Sequence, residues 1–216
     1  YWGDQPIVEA PAYIGITVFF IAMIGFFLMR RHWRFILLSS ILISLLISWG
    51  KHLPQFTQFL IDYVPFYNKF RAVSSAQVIL ELCFPIAAAL GLIGMMDSSN
   101  QSRKDAINRS ALIVLGILGL VWIAAMTTFD YQSAFEPFAA YPEILNPLME
   151  DRKSILLNDL MRSLGFVVAL YIICRFALIE NRKRYVIPVV ALVILIDLWS
   201  LSRNYINSED FAIKSV

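Results

Sequence analysis

Two acidic residues lie inside apolar stretches of this 216-residue chain, and their position makes them the first candidates for chemistry. Glu81 occurs in the apolar run that follows Val73, and Asp197 occurs in the run that ends near Arg203. A charge near the centre of a bilayer costs at least about 2.5–3.5 kcal/mol on insertion scales, so an acid there needs a partner or a function. By the helical rise, both carboxylates would lie about 9–12 Å from the nearer ends of their runs.

Basic residues that could pair with these acids occur near the same ends of the apolar runs. They are Lys51, His52, Lys69, Arg71, Arg162 and Arg203. The functional interpretation is a polar cavity lined by these groups. The structural interpretation is that Glu81 and Asp197 pair with Arg71, Arg162 or Arg203 only to satisfy the helix bundle. The residue types alone favour neither interpretation.

The sequence does not indicate a metal site. His32 and His52 are predicted to lie on opposite sides of the membrane, and no group of His, Cys and carboxylate residues has the spacing of a ligand set. Cys83 and Cys174 are predicted to lie in opposite halves of the membrane, so we expect no disulfide between them.

The elements that must position these residues are six apolar stretches. A membrane-spanning helix needs about 20 apolar residues, with a range of roughly 17 to 25. The predicted spans are residues 12–29, 35–50, 73–96, 110–128, 155–179 and 185–203. Because backbone polar groups must be paired in lipid, every span should be helical. The sequence therefore predicts an all-α, polytopic membrane helix bundle, forming a single domain over residues 1–216.

Clusters of Lys and Arg occupy every second gap between these stretches and predict the orientation. They are Arg30 to Arg34, then Arg103, Lys104 and Arg109, then Arg182 to Arg184. By the positive-inside rule these gaps face the cytoplasm, so both chain ends lie outside and Glu81 and Asp197 lie in the outer half of the membrane.

Composition supports a membrane protein over other classes. The chain is 59% hydrophobic and 16% charged, and its mean hydropathy is +0.67. A typical soluble domain is about 45–50% apolar and about 25% charged. The basic residues form clusters beside the apolar runs rather than an aromatic-interleaved surface, so the sequence gives no support for nucleic-acid binding.

Two longer gaps lie on the predicted outer side. In residues 51–72, Phe56, Phe59, Leu60 and Tyr63 follow a helical spacing, which predicts a short amphipathic helix at the membrane interface. In residues 130–153, prolines spaced five apart alternate with acidic and aromatic residues. We expect short helical turns over the mouth of the bundle there.

Small residues and prolines inside the spans predict how the helices pack. Ser40, Ser44 and Ser48 recur every four residues, as do Ala87 and Gly91, and such faces let helix backbones approach closely. A substrate path lined by the serine hydroxyls is the alternative. Pro85 and Pro188 each remove a backbone donor and predict a local kink, which is common in membrane bundles, or else a transporter-like broken helix.

Several motifs, in order, resemble the YfhO-like family of bacterial multi-pass membrane proteins. They are Tyr1-Trp2-Gly3-Asp4-Gln5-Pro6, His52-Leu53-Pro54 followed by Pro65-Phe66-Tyr67-Asn68-Lys69-Phe70-Arg71, and Asp197-Leu198-Trp199 followed by Arg203-Asn204-Tyr205-Ile206-Asn207. Together they bracket nearly the whole chain, whereas each motif alone is weak.

The resemblance implies a protein similar to the GT-C glycosyltransferases, which take a sugar from a polyprenyl-phosphate carrier at the outer face of the bacterial cytoplasmic membrane. In such enzymes an acidic residue of an early outer loop serves as the base or as a carboxylate associated with a divalent cation. This chain resembles the later helices of such a protein, so we expect a fragment of a longer protein, without that loop. The resemblance therefore carries no catalytic residue onto this chain.

A lipid-linked phosphate entering from the outer leaflet would need a cation near the headgroups. Arg71 and Lys69 fit this need, with His52 and Arg162 in support and Glu81 orienting the cations, because the Arg fork binds phosphate oxygens through two donors. The plainer interpretation of the same residues is an aromatic and basic anchor at the interface.

Two other functions stay open on the sequence. One is a non-catalytic scaffold packed against other membrane subunits, in which Glu81 and Asp197 are structural. The other is a transporter, which the intramembrane prolines and acids suggest but which the lack of a visible inverted repeat disfavours. In all three cases the chain's first partner is the lipid bilayer.

Overall fold

A computed structural model describes residues 13–69, 73–133, 141–179 and 183–205, and helices account for most of these residues. The chain divides into two compact units, an N-terminal unit that ends at Ala106 and a C-terminal unit that begins at Ile107. The expectation of one membrane domain over residues 1–216 stays a prediction.

The N-terminal unit contains four α-helices and the first turns of a fifth. The helices are α1 Ile16–Leu28, α2 Arg31–Ser48, α3 Pro54–Tyr63, α4 Gln77–Asp97 and α5 Asn100–Thr127. Single 3-10 turns at Gly50–His52, Tyr67–Lys69 and Val73–Ala76 connect α2, α3 and α4. Helix α3 is the short helix predicted within residues 51–72. It begins at a proline, whose missing N–H costs nothing at the first position of a helix.

Helix α1 packs along α4 through small residues. A methyl group added at Gly91 would lie 2.8 Å from the Ile21 carbonyl oxygen and 2.9 Å from the Gly25 Cα. Ala87 is fully buried beside them, and its carbonyl approaches Gly25. The two backbones are therefore in direct contact, as the spacing of Ala87 and Gly91 predicts.

Aromatic side chains fill the rest of the α1–α4 interface. The centroid of the Phe84 ring lies 5.3 Å from the centroid of the Phe19 ring, and the two rings are tilted. Its distance to the centroid of the Phe26 ring is 6.4 Å, and these rings meet edge to face. Tilted and edge-to-face arrangements of this kind are favourable because they bring the positive ring edge toward a negative face.

The serine repeat of α2 serves packing. Ser44 is fully buried, and its hydroxyl donates to the Ala76 carbonyl at 2.6 Å, fastening α2 to the residue that precedes α4. Ser48 donates to the Leu45 carbonyl one turn earlier in its own helix. At these two positions the hydroxyls are committed to backbone oxygens, which supports the packing interpretation over a substrate path.

At two connections between helices of this unit, an arginine side chain donates hydrogen bonds to the end of the preceding helix. Arg34 of α2 donates to the carbonyls of Phe27 and Met29 at the end of α1. Arg103 of α5 donates to the Met95 carbonyl at the end of α4, and its other guanidinium nitrogens bond to Ser99 and Asn100. Each cation thus satisfies carbonyls that a helix C-terminus leaves without partners.

Most residues of the first two basic clusters lie within helices rather than in gaps between them. Arg31 to Arg34 form the first turn of α2, and Arg103, Lys104 and Arg109 lie in the first turns of α5. Helices α2 and α5 thus begin before residues 35 and 110, where the predicted spans start, and the bounds of the spans stay predictions.

The C-terminal unit contains the rest of α5, α6 Pro142–Phe176 and α7 Lys183–Tyr205. Helix α6 has 35 residues and a length of about 52 Å by the rise of 1.5 Å per residue. The expected helical turns over residues 142–153 are wrong, because these residues form the beginning of α6, which continues through Pro147. Residues 134–140 lie outside the described part.

The connection after α5 is anchored at Tyr131. This residue is buried with φ 57, and its hydroxyl donates to the Ala125 carbonyl at 2.6 Å. Arg152 of α6 donates to the Tyr131 carbonyl at 2.8 Å. A positive φ is uncommon for a residue with a side chain, so these bonds hold the backbone in an otherwise unfavourable conformation.

Five helices of the described chain, α2 and α4 to α7, are long and apolar enough to cross a membrane. The prediction of an all-helical membrane protein is confirmed at this level. Helix α1 has 13 residues and lies within the predicted span 12–29, between Gly15 with φ 90 and extended Met29. Helices α4 and α7 continue through Pro85 and Pro188 as single helices.

Candidate functional site

The strongest cluster of charged side chains lies between α6 and α7. Asp197 of α7 is fully buried, and its carboxylate lies 3.5 Å from the Arg162 guanidinium of α6. The side chain of Arg162 is 24% exposed, so one member of the pair is inaccessible and the other reaches a partly open surface. The structural interpretation of Asp197 is thereby supported, with Arg162 as its partner.

Two more polar groups complete the cluster. Arg162 donates to the Ser200 hydroxyl at 2.7 Å, and Ser200 donates to the Asp197 carbonyl at 2.8 Å. Asp159, with a side chain 53% exposed, lies 3.6 Å from the Arg162 guanidinium. The guanidinium is therefore bracketed by a buried and an exposed carboxylate.

Helix periodicity explains why these residues meet. Asp159, Arg162 and Phe166 recur at intervals of three and four on α6, and Asp197 and Ser200 lie three apart on α7. Residues at these intervals share one helix face. The Phe166 ring lies 6.0 Å from the Arg162 guanidinium carbon, which completes a face that holds the cation from several sides.

The cluster places a partly exposed guanidinium beside a fully buried carboxylate. Asp197 has no exposed surface through which to contact a substrate. An anion approaching from the exposed side would have to displace Asp159 from Arg162.

Glu81 differs from Asp197. It lies in the second turn of α4, where it is half-buried, and no described residue forms an ion pair with it. Arg71, which the sequence suggested as its partner, lies outside the described residues. The proposed pairing of Glu81 therefore stays a prediction.

The two other basic residues suggested for phosphate binding, His52 and Lys69, lie before and after α3. His52 is exposed in the turn before α3, and Lys69 is exposed in the turn after it. They belong to the N-terminal unit, whereas Arg162 belongs to the C-terminal unit. Within the described residues, Arg203 is exposed near the end of α7.

Metal binding finds no support in the part of the chain that is described. No group of three or more His, Cys, Asp or Glu side chains there is arranged to hold a metal ion. Both cysteines are buried as free thiols, Cys83 in the N-terminal unit and Cys174 in the C-terminal unit.

Sequence reasoning missed three structural roles. The sequence identifies Arg103 and Arg34 only as topology signals, although an arginine a few residues past a helix end is also a candidate cap. Arg152 was not singled out, because its partner is a backbone carbonyl 21 positions away, which leaves no sequence pattern.

Comparison of this chain with protein-family models, with curated proteins and with solved structures found no match. The resemblance to YfhO-like proteins consequently stays an expectation based on the motifs.

Proposed function

We propose that this chain is the membrane-embedded part of a GT-C-like glycosyltransferase that uses a polyprenyl-phosphate-linked sugar at the outer face of the bacterial cytoplasmic membrane. In this proposal the chain holds the lipid carrier, and a carboxylate outside the chain supplies the base. The proposal rests on the motif resemblance and on one structural observation, the α3 segment.

Helix α3 has the features of an interfacial element. It is 10 residues long, too short to span a bilayer, and of its described side chains only Leu60 is buried. Phe59 and Tyr63 are exposed, and their rings are tilted against each other with centroids 5.1 Å apart. Exposed Phe66 and Lys69 follow. Aromatic side chains beside a cation suit the level of the lipid headgroups, where a carrier phosphate would lie.

The proposed topology has six spans with both chain ends outside. Helix α1 is the shortest span, and the turns that carry Arg31, Arg103 and Lys183 follow the first, third and fifth spans, so they fall on one side of the membrane. The positive-inside rule makes that side cytoplasmic and places α3 and the beginning of α6 outside.

Carrier binding by the intact protein tests the function. We expect Lys69→Ala and Arg71→Ala to weaken binding of a polyprenyl-phosphate sugar about tenfold each, since a hydrogen bond to a charged group contributes about 1.5–3 kcal/mol. The matched control is Lys104→Ala, which removes an exposed cation at the opposite side. Unchanged affinity in both test variants would exclude the assignment.

A non-catalytic scaffold is the second candidate, and the α6–α7 cluster favours it. Arg162 donates a hydrogen bond to Ser200 and forms ion pairs with Asp197 and Asp159, as expected of a group that stabilises a bundle rather than binds a ligand. Purification from native membranes separates the two candidates. Protein retained at fixed stoichiometry supports the scaffold, whereas retained polyprenyl phosphate supports the glycosyltransferase.

A further inference from the structure

Two apolar grooves flank α6 near its C-terminal end. The first lies between α5 and α6 and has a volume of about 360 Å³. Its walls include Leu112, Leu115, Val167 and Val168, and at its end the Tyr171 hydroxyl donates to the Asn108 side chain at 3.2 Å. This polar pair marks the end of the groove nearest the beginning of α5.

The second groove lies between α6 and α7 and has a volume of about 220 Å³. Ile172, Ile173 and Phe176 of α6 face Tyr185, Val186 and Val189 of α7 across it. All of these side chains are apolar or aromatic, so the groove suits a hydrocarbon chain rather than a polar ligand.

A ridge of α6 separates the two grooves. Successive helical residues differ by about 100° in direction, which places Val168, Ile172 and Arg175 within about 60° of one another. Val168 and Ile172 are 46% and 53% exposed, so the ridge faces outward from the bundle. Arg175 lies one turn beyond Tyr171, the last α6 residue of the first groove, and beside Phe176, the last α6 residue of the second.

Arg175 has an unsatisfied donor at that position. Its guanidinium carbon lies 6.0 Å from the Tyr171 ring centroid, and its Nη1 is buried without a hydrogen-bond partner among the described residues. A buried charged donor without an acceptor is costly, and because Nη1 itself is enclosed by protein, an anion outside would bind through the partly exposed remainder of the Arg175 side chain. Arg109, exposed beside Asn108 on α5, adds a second positive charge at this end.

We propose that one diacyl phospholipid with an anionic headgroup straddles α6, with an acyl chain in each groove and its phosphate on Arg175. Two apolar channels on either side of one cation match two chains that join at one phosphate. A polyprenyl phosphate has a single chain, so this site is distinct from carrier binding at the outer face. Because Arg175 lies at the end of α6 near the α6–α7 connection, the lipid belongs to the leaflet at the proposed cytoplasmic side.

Lipid titration of the purified full-length protein, followed by native mass spectrometry, tests this site. Phosphatidylglycerol should bind about tenfold more tightly than phosphatidylcholine of the same chain length, because its headgroup is a net anion, whereas the choline cation of phosphatidylcholine offsets the phosphate charge near Arg175. Lysophosphatidylglycerol, with one chain, should bind more weakly than the diacyl lipid. Equal affinity for the two headgroups, or for one chain and two, would overturn the proposal.

Variants locate the site without relying on one substitution. Arg175→Gln should abolish the headgroup preference, whereas Arg31→Gln, which removes an exposed arginine of the N-terminal unit, should retain it. Val168→Trp should fill the first groove and weaken binding, whereas Leu195→Trp, an exposed α7 position outside both grooves, should not. A headgroup preference that survives Arg175→Gln, or a lipid affinity that Val168→Trp leaves unchanged, would contradict the assignment.

Discussion

The guanidinium Nη1 of Arg103 donates to the carbonyl oxygen of Met95 at 3.3 Å, across the two-residue connection between α4 and α5. Arg103 is only 2% exposed, although the sequence places it in a cluster of charges beside an apolar span. The same residue type thus carries out two tasks. Its charge favours one side of the membrane, and its donors satisfy the end of the preceding helix.

The cap at Arg103 gives the first prediction. Arg103→Ala should lower the free energy of unfolding by about 2 kcal/mol, since it removes charge-assisted bonds to buried carbonyls. Lys104→Ala removes the same charge from an exposed neighbour and should change it by less than about 0.5 kcal/mol. Unfolding in mixed micelles measures both. If both variants changed the free energy of unfolding equally, Arg103 would act through its charge and not through its hydrogen bonds.

A second prediction concerns the ion pair between Arg162 and Asp197. Arg162→Leu should destabilise the protein by about 3–5 kcal/mol, because it leaves a fully buried carboxylate without its partner. The double variant Arg162→Leu with Asp197→Leu should recover more than half of that loss. The same unfolding assay, applied to the wild type, the two single variants and the double variant, measures this double-mutant cycle. Additive losses in the double variant would show that the two charges are not coupled.

Gly91 gives a third prediction through its contact with α1. Gly91→Ala should lower the free energy of unfolding by about 1–3 kcal/mol, because the added methyl group meets the backbone of α1. Gly119→Ala is the matched control on α5, where an added methyl group meets nothing within 4 Å. It should be neutral or stabilising by up to about 1 kcal/mol, as helix propensity predicts. A neutral Gly91→Ala would contradict the close packing.

The fourth prediction addresses the anchor at Tyr131. Tyr131→Phe removes the bond to the Ala125 carbonyl and should speed amide hydrogen exchange in residues 128–133 about fivefold, which corresponds to about 1 kcal/mol. Tyr141→Phe, at a side chain 62% exposed, should leave the exchange rates unchanged. Unaltered exchange in Tyr131→Phe would assign the anchoring to Arg152 alone.

The proposed topology gives a fifth prediction. Cys83 and Cys174 are buried, so their replacement by alanine provides a background for single cysteines at exposed positions. In intact cells, Gln58→Cys of α3 should react with a membrane-impermeant maleimide, and Lys104→Cys of α5 should react only after the membrane is opened. The reverse pattern would invert the orientation.

Apolar stretches predicted the fold class because lipid leaves few alternatives to the helix. Helix boundaries were harder to predict. Composition does not show where α1 begins inside the apolar residues 12–29, because its first residue is set by the positive φ of Gly15. The polar beginning of α6 lacked the apolar signal used to find spans, so its 35-residue length was not predicted.

The candidate site was predictable only where a rare residue type marked it. Asp197 was found because an acid in an apolar run is conspicuous, and Arg162 was among its proposed partners. Ser200 was not found, because a serine in a membrane helix is common and its role depends on which residues of α6 lie opposite. Pairing across two helices follows from their packing, which one sequence does not specify.

Helix α1 is shorter than the hydrocarbon core of a bilayer is thick. Its 13 residues extend about 20 Å, against a hydrocarbon core of about 30 Å, yet eight of them are buried, and Phe20, Ile21 and Ile24 are completely enclosed. A helix that is shielded by protein has little surface on which lipid length can act. A change in acyl-chain length would then act on the helices that contact lipid and would not shift α1 along the membrane normal.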